Sequence, residues 1–345
     1  MKKIRIGING FGRIGRLFTR LSFQDEVSNE IEVVGINDLG STESMAHLLE
    51  FDSIHRRWPA DISFSGDRLL VNGKHIRVTH EKDPSKLNWK ELNVDVVLES
   101  TGKFKSEEAA SKHLIAGAPR VIVTAVASGK KIKTIVLGAN EELLDGSEKV
   151  ISNASCTTNC AAPLVDLIHE HFGIDSGYIT TVHSYTGDQS LHDRSHTDLR
   201  RARAAALSMI PTTTGAAKAI TKIFPDLDGI MGGAGIRVPV PNGSLTDITY
   251  IVKKKTSVAE INKLFEEASE SGKWKGYLEY TEKPIVGADI IGNSHSAIFD
   301  SLLTSVIGQM VKVVAWYDNE AGYSSRLIDL ILYWSKLWDS DSDKT

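Results

Sequence analysis

Cysteine is nearly missing from this chain: 345 residues hold two, Cys156 and Cys160, four positions apart. A disulfide-framed fold is excluded by that count, and two cysteines with no matching Cys/His pair do not make a zinc site. No apolar run reaches the roughly 18 residues a transmembrane helix requires. An excess of one charge is also lacking. Forty Lys+Arg against 44 Asp+Glu leave a formal net charge of −4, which gives no general pull toward nucleic acid or an anionic membrane. The start Met1-Lys2-Lys3 faintly resembles a signal peptide, but Arg5, Arg13 and Arg16 interrupt what would be its apolar region. The expected location is the cytoplasm. Internal repeats and low-complexity linkers are absent too.

What remains is ordinary globular composition, 41% hydrophobic and 24% charged, at a length that suggests two domains of about 100–200 residues. The first half alternates short β-branched runs with helical patterns. Ile4–Ile8, Ile31–Ile36, Val94–Leu98 and Arg120–Thr124 read as strands, and a helix opens within Gly10–Leu21. Such alternation predicts a parallel sheet with both faces covered. Arg56–Val78 reads as a hairpin insert, with turns at Ser65-Gly66-Asp67 and Asn72-Gly73. Beyond about residue 150, longer strands are expected at Tyr178–Val182, Ile236–Val240, Leu245–Val252 and Val311–Tyr317, with helices at Thr214–Phe224, Thr256–Ser271 and Ser324–Trp338. Ser184–Arg203 fits neither period and reads as a functional loop. The polar tail Asp339–Thr345 is expected to be frayed.

Gly10-Phe11-Gly12-Arg13-Ile14-Gly15 matches G-x-G-x-x-G, follows a strand and opens a helix. Gly10 permits the tight turn, Gly12 lets backbone approach a pyrophosphate, and Gly15 lets helix and strand pack closely. The next strand ends in Asp38, an acceptor for a ribose 2′-hydroxyl about 20 positions on. A carboxylate there repels a 2′-phosphate, so the motif favours NAD over NADP. Thr101 and Thr124, at later strand ends, are candidates for the same crevice.

Ser152-Asn153-Ala154-Ser155-Cys156-Thr157-Thr158-Asn159-Cys160 is the richest segment. A strand at Lys149–Ser152 leads in and a helix over about 157–171 leads out, so Cys156 falls at a helix N-terminus. The dipole there favours thiolate, the nucleophilic form. Cys160, one turn further on, reads as a core thiol. A reactive cysteine needs a base or cationic partner. Among eleven histidines, His183 leads, because it ends a strand and begins the irregular loop. His169, His171, His192 and His196 read as solvated.

These blocks, with Arg200-Arg201-Ala202-Arg203, Pro211-Thr212-Thr213-Thr214-Gly215 and Trp316-Tyr317-Asp318-Asn319-Glu320, resemble the glyceraldehyde-3-phosphate dehydrogenase family, in that family's order from residue 4 to about 332. The resemblance implies an α/β chain: a doubly wound Rossmann domain over 1–155, completed by a helix at 320–338, and an α+β catalytic domain with a mixed sheet over 156–319. It implies Cys156 as nucleophile and His183 as its proton partner, acting on glyceraldehyde 3-phosphate through a hemithioacetal and a thioester that inorganic phosphate releases. Ser155, Thr157, Thr214 and Gly215 match the site for the attacking phosphate. Thr186, Arg201 and Arg237 match positions that hold substrate or phosphate, and guanidinium forks suit phosphate oxygens. Gly10, Gly12, Arg13, Ile14, Gly15, Asp38, Lys82, Thr124 and Asn319 match NAD contacts. The family is usually a homotetramer.

The chain departs from the family's common wording at Ala321 in Asn319-Glu320-Ala321-Gly322, at Gly243 in Asn242-Gly243-Ser244, and at Val126. Arg194-Ser195 stands where many NAD-specific relatives have proline; serine there resembles NADP-using forms and leaves some NADP use open. Two other readings stay open. One is an erythrose-4-phosphate dehydrogenase, which adds no phosphate; the intact Thr213-Thr214-Gly215 loop argues against it. The other is a non-enzymatic thiol-sensing or binding protein on the same scaffold.

Overall fold

The structure is a computed structural model that describes residues 2–129 and 131–338. The expectation for Asp339–Thr345 lies outside the described residues. Two compact units divide the chain. The first contains residues up to Ala154 together with those from Ser324 onward, and the second is Ser155–Tyr323.

The first unit is built on β1 (Ile4–Asn9), β2 (Ile31–Asn37), β3 (Ile62–Ser65), β4 (Arg68–Val71), β5 (Lys74–Thr79), β6 (Val96–Glu99), β7 (Val121–Val123), β8 (Lys133–Thr134) and β9 (Val150–Ser152). They form one sheet in the order β3-β4-β5-β2-β1-β6-β7-β9-β8. Helices α1 (Arg13–Ser22), α2 (Asp25–Ser28), α3 (Thr42–Glu50), α4 (Glu107–Ala110) and α5 (Lys112–Ile115) connect the strands. From β5 to β8 every neighbouring pair is parallel. Ile6, Ile8, Val96, Val97 and Ile36 are fully buried, as parallel strands covered on both faces require. Strand order reverses direction between β1 and β6, which places a crevice at the carboxyl ends of these strands.

The Arg56–Val78 expectation needs correction. Instead of an inserted hairpin, β3, β4 and β5 form an antiparallel meander whose last strand joins β2 in parallel and so extends the main sheet. The physical reason is on β5 itself, where Ile76 and Val78 are buried and can be covered only if the strand joins the sheet.

The second unit contains α6 (Cys156–Phe172), β10 (Ile174–Ser184), β11 (Ile210–Thr212), α7 (Ala216–Ile223), β12 (Met231–Val238), β13 (Ser244–Val252), α8 (Val258–Glu270), β14 (Leu278–Thr281), β15 (Ala297–Asp300), β16 (Ser305–Ile307) and β17 (Met310–Tyr317). Its mixed sheet runs β11-β12-β10-β13-β17-β15-β14, with β16 paired to β17. Along β13 buried and half-buried residues alternate, the signature of a sheet with one covered face. The covered face carries α6, which packs against β13 and β17, is buried along most of its length and runs through Pro163. Between Tyr185 and Ala204 the chain has turns and bends but no helix or strand, as expected for the irregular loop. Finally α9 (Ala321–Trp338) ends the described chain. Strands β8 and β14–β16 had no clear signal in the sequence, being short and without alternation.

Candidate active site

In the first unit, Gly10 lies at φ +95°, and a Cβ there would come within 2.7 Å of the Thr101 backbone nitrogen. A Cβ on Gly15 would come within 2.5 Å of the Gly10 carbonyl oxygen. The turn thus tolerates no side chain at either position. Space is open beside Gly12, the N-cap of α1. No side chain caps that helix and no acidic residue occupies its first turn, which leaves the N–H end suited to an anion. Ile14 is half-buried in that first turn.

Asp38 follows β2, and its carboxylate accepts from the backbone N–H of Phe11 at 2.7 Å and of Gly40 at 2.9 Å. The acidic group is therefore tied to the glycine turn and keeps lone pairs for a ribose hydroxyl. These features fit a dinucleotide. Arg13 forms a two-pronged pair with Asp52 at 2.5 and 3.0 Å, a partner the sequence reading missed because 39 positions separate the two. Burial pushes the Asp52 carboxyl up, but Arg13 and the N–H groups of His55 and Ile54 outweigh it and hold it well below the usual range. Lys82 is exposed on the loop after β5. Thr124 follows β7 and donates its hydroxyl to the Glu99 carbonyl at 3.1 Å.

In the second unit, Ser155 caps α6 by accepting from the Thr158 N–H at 3.1 Å. Cys156 is consequently the first helical residue. Just before it, Ala154 is fully buried at φ +54°, a conformation costly for a residue with a Cβ and common next to functional groups. Nothing in the sequence signalled that strain. Cys156 is partly exposed and Cys160 is buried.

Strand register explains the rest of the cluster. His183 on β10 is the direct partner of Arg237 on β12, and Ser244 on β13 is the partner of Tyr317 on β17. Cys156 Sγ lies 3.5 Å from His183 Nε2. On the far side of the ring, Nδ1 is 2.7 Å from the Ser184 carbonyl and 2.7 Å from Arg237 Nη1. When Nδ1–H donates to Ser184, Nε2 is bare and can take the thiol proton. When Arg237 donates to Nδ1, Nε2–H faces the sulfur. Burial first, and then the Arg237 charge, lower the His183 pKa to about 3. Burial pushes the Cys156 thiol up, while Arg237 and the Thr157 N–H pull it back down. The resting pair is thus a thiol facing a neutral imidazole, with the guanidinium placed to stabilise any negative charge that develops on sulfur.

Thr157 is buried and shares a hydrogen bond of 2.9 Å with the Tyr317 hydroxyl. Tyr317 also meets the His183 ring edge-on, with centroids 6.0 Å apart. Asn319 Oδ1 accepts from the hydroxyls of Ser184 and Ser244, both at 2.9 Å. This fixes the amide so that Nδ2 is the end left to donate outward. Tyr317, Ser184 and Ser244 were not singled out as site residues from sequence; the alternation along β13 is the signal that could have found Ser244.

Arg201 is held differently from Arg237. Its Nε donates to Thr212 Oγ1 at 3.0 Å, and it pairs with Asp188 and, at 3.6 Å, with Asp198. Thr214 Oγ1 accepts from the Ala216 N–H at 3.2 Å and Gly215 is the N-cap of α7, so both stand at that helix N-terminus. Thr186 is half-buried in the irregular loop, its N–H donating to Gln189 Oε1 at 3.2 Å. His171 and His192 are exposed, whereas His169 and His196 are half-buried beside Asp226 and Asp188. Among the described residues, no helix is long and apolar enough to cross a membrane.

A nucleotide-type glycine turn on a doubly wound sheet, with a cysteine–histidine pair on a mixed sheet, places the chain in the class of dinucleotide-dependent dehydrogenases. Residues 4–107 match the family "Glyceraldehyde 3-phosphate dehydrogenase, NAD binding domain", and residues 155–319 match "Glyceraldehyde 3-phosphate dehydrogenase, C-terminal domain". The chain is 52% identical over 332 residues to a glyceraldehyde-3-phosphate dehydrogenase of Mycobacterium avium, covering 95% of this chain and 97% of that one. It is 53% identical over 328 residues to one of Thermotoga maritima (95% and 98% covered) and 51% over 332 residues to one of Geobacillus stearothermophilus (96% and 98%). The chain belongs to the glyceraldehyde-3-phosphate dehydrogenase family.

Proposed function

We propose that the protein oxidises D-glyceraldehyde 3-phosphate to 1,3-bisphosphoglycerate with NAD and inorganic phosphate. The observation that carries this reading is the Cys156–His183 pair at the head of α6, 3.5 Å apart, with Arg237 against the ring. Cys156 Sγ attacks the aldehyde carbon, and the thiol proton travels through His183 Nε2 to the new alkoxide, giving a hemithioacetal. Bound NAD supplies the acceptor for the hydride that leaves this carbon. His183 takes the hydroxyl proton as that happens, and a thioester stays on Cys156. Phosphate oxygen then attacks the thioester carbonyl, the C–S bond breaks, and His183 returns a proton to sulfur.

In this reading Arg237, Arg201 and Thr186 hold phosphate groups by charge and hydroxyl donation, and Ser155, Thr157, Thr214 and Gly215 receive the attacking phosphate. Asn319 Nδ2 orients the nicotinamide carboxamide. Gly10, Gly12, Arg13, Ile14, Gly15, Asp38, Lys82 and Thr124 bind NAD. The Asp38 charge keeps NAD ahead of NADP, with Ser195 permitting limited NADP use. A thiol that must stay reduced supports the cytoplasm as its location. Four copies associate, a reading supported by exposed apolar side chains in the irregular loop and just after it, Leu191, Leu199, Leu207 and Met209.

The test is the growth of reduced-nicotinamide absorbance with glyceraldehyde 3-phosphate, with and without inorganic phosphate. The expected result is strong phosphate dependence, lost after alkylation of Cys156. Equal rates without phosphate would favour the hydrolytic relative, an erythrose-4-phosphate dehydrogenase, instead.

A further inference from the structure

A buried polar chain runs beneath the glycine turn. Asn37, Asn9 and Glu99 end β2, β1 and β6 in direct register, so their side chains stand side by side on one face of the sheet. Asn37 Nδ2 donates to Asn9 Oδ1 at 2.7 Å, and Asn9 Nδ2 donates to Glu99 Oε2 at 2.6 Å. His113, on α5, meets the same Oε2 through Nε2 at 3.0 Å. Trp89 closes the chain by donating its indole N–H to His113 Nδ1 at 3.1 Å. Glu99, His113, Asn9, Asn37 and Trp89 are each at most 4% exposed.

The indole donor assigns the tautomer. Nδ1 must accept, so the proton resides on Nε2 and points at Glu99. Glu99 then collects four donors: Asn9 and His113 on Oε2, and the Thr101 N–H and hydroxyl on Oε1. Every dipole in the row points toward this one carboxylate, and no member can be replaced by an apolar group without leaving a buried polar atom unpaired.

The ends of this chain are the loops that carry the candidate nucleotide contacts. Asn37 holds the backbone of Glu81, next to Lys82, through its Oδ1 at 2.8 Å and its Nδ2 at 2.9 Å. The Gly10 N–H donates to the Asn37 carbonyl at 2.8 Å, and the Ser100 hydroxyl donates to the Gly10 carbonyl at 2.6 Å. Thr101, fastened to Glu99, is the residue whose backbone lies against Gly10.

We infer that Glu99 and His113 are positioning residues for the dinucleotide: the Trp89–His113–Glu99–Asn9–Asn37 row sets the glycine turn and the loops at residues 81–82 and 100–101 in the geometry that binds NAD. The inference rests on the reading that this turn binds NAD. Calorimetric titration of NAD into the full chain separates the two. If the unsubstituted protein fails to bind NAD, the functional reading falls and this inference with it.

Given binding, His113→Leu, which strands the indole N–H and takes one donor away from Glu99 Oε2, is expected to raise the NAD dissociation constant by about tenfold. The KM for the aldehyde and kcat at saturating NAD should stay within about twofold. His113→Gln, whose amide can both donate to Glu99 and accept from Trp89, is expected to recover binding to within about threefold of the unsubstituted protein. A merely structural histidine would lower the melting temperature without this selective loss. If His113→Leu does not fold, Thr101→Val removes one donor at the rim of the row, with an expected weakening of about threefold. A folded His113→Leu, or failing that a Thr101→Val, that binds NAD as the unsubstituted protein does would overturn the inference.

Discussion

Burial and the Arg237 guanidinium both act against a charged ring at His183, and together they bring its pKa to about 3. The folded chain therefore keeps this histidine neutral across the range where the unfolded chain protonates it, around its ordinary value of about 6.5. Because the folded value is depressed, the stabilisation is complete above about pH 6.5 and is lost as pH falls toward 3. It also means the ring keeps one bare nitrogen throughout neutral pH, and Nε2 is that base whenever Nδ1–H donates to Ser184. Replacing Arg237 by Leu removes the larger of the two charges that lower the His183 pKa, Arg201 being the other, so the midpoint should rise toward its ordinary value. Ring-proton NMR of the ligand-free protein would follow it, and an unmoved midpoint would leave burial as the dominant cause. At this scale the sequence was most informative where chemistry and position coincide. Cys156 announced itself as a scarce thiol at a strand-to-helix junction, and His183 as a strand-ending histidine. Ser184, Ser244 and Tyr317 did not, because serine and tyrosine are common and only strand register brings these three beside Asn319, Thr157 and the imidazole. Arg201 shows the opposite difficulty. Its residue type was legible, but its pairing with Asp188 and Asp198 depends on how an irregular loop folds back on itself.

Helix α6 owes the placement of its first residue to Ser155. The hydroxyl satisfies the Thr158 N–H and also lies 2.7 Å from the Thr158 hydroxyl, so two contacts fix the turn that presents Cys156. Loss of an N-cap hydroxyl costs about 1 kcal/mol. Ser155→Ala should lower the denaturation free energy by that amount and slow alkylation of Cys156 at neutral pH, because a frayed first turn no longer aims its N–H groups near sulfur. Denaturant titration and the alkylation rate check this together; unchanged values of both would mean the cap does not set the thiol's surroundings. Element types were readable wherever the pattern was long or strongly periodic, as at α8, α9, β13 and β17. They were less readable where partners lie far along the chain. The meander β3–β5 carried correct turn signals at Gly66 and Gly73 but read as an insert, because nothing local reveals that β5 pairs with β2 from 35–37 to 77–79. The row Asn37–Asn9–Glu99 was invisible for the same reason, since it exists only once three separate strands are aligned.

Large apolar side chains lie open in a short stretch of the second unit: Leu191 is 75% exposed, Leu199 81%, Leu207 84% and Met209 75%. Scattered exposed leucines need no explanation, but four in one stretch of loop are more apolar surface than a solitary chain usually leaves in water. Covering them would contribute on the order of 25 cal/mol for each Å² removed from water, and a second copy of the same chain is the natural cover in a closed symmetric assembly. On the reading that four copies associate, light scattering coupled to size exclusion should return about four chain masses for the unsubstituted protein. Leu199→Asp with Leu207→Asp places two charges where apolar contact is required, at a cost that includes desolvating each carboxylate. Neither side chain is buried within the chain, so the substitutions leave the internal packing of the unit intact. The doubly substituted protein should therefore show an unaltered circular dichroism spectrum and a smaller mass. A monomeric unsubstituted protein would end the tetramer reading, and a tetramer that survives both charges would move the contact elsewhere on the surface.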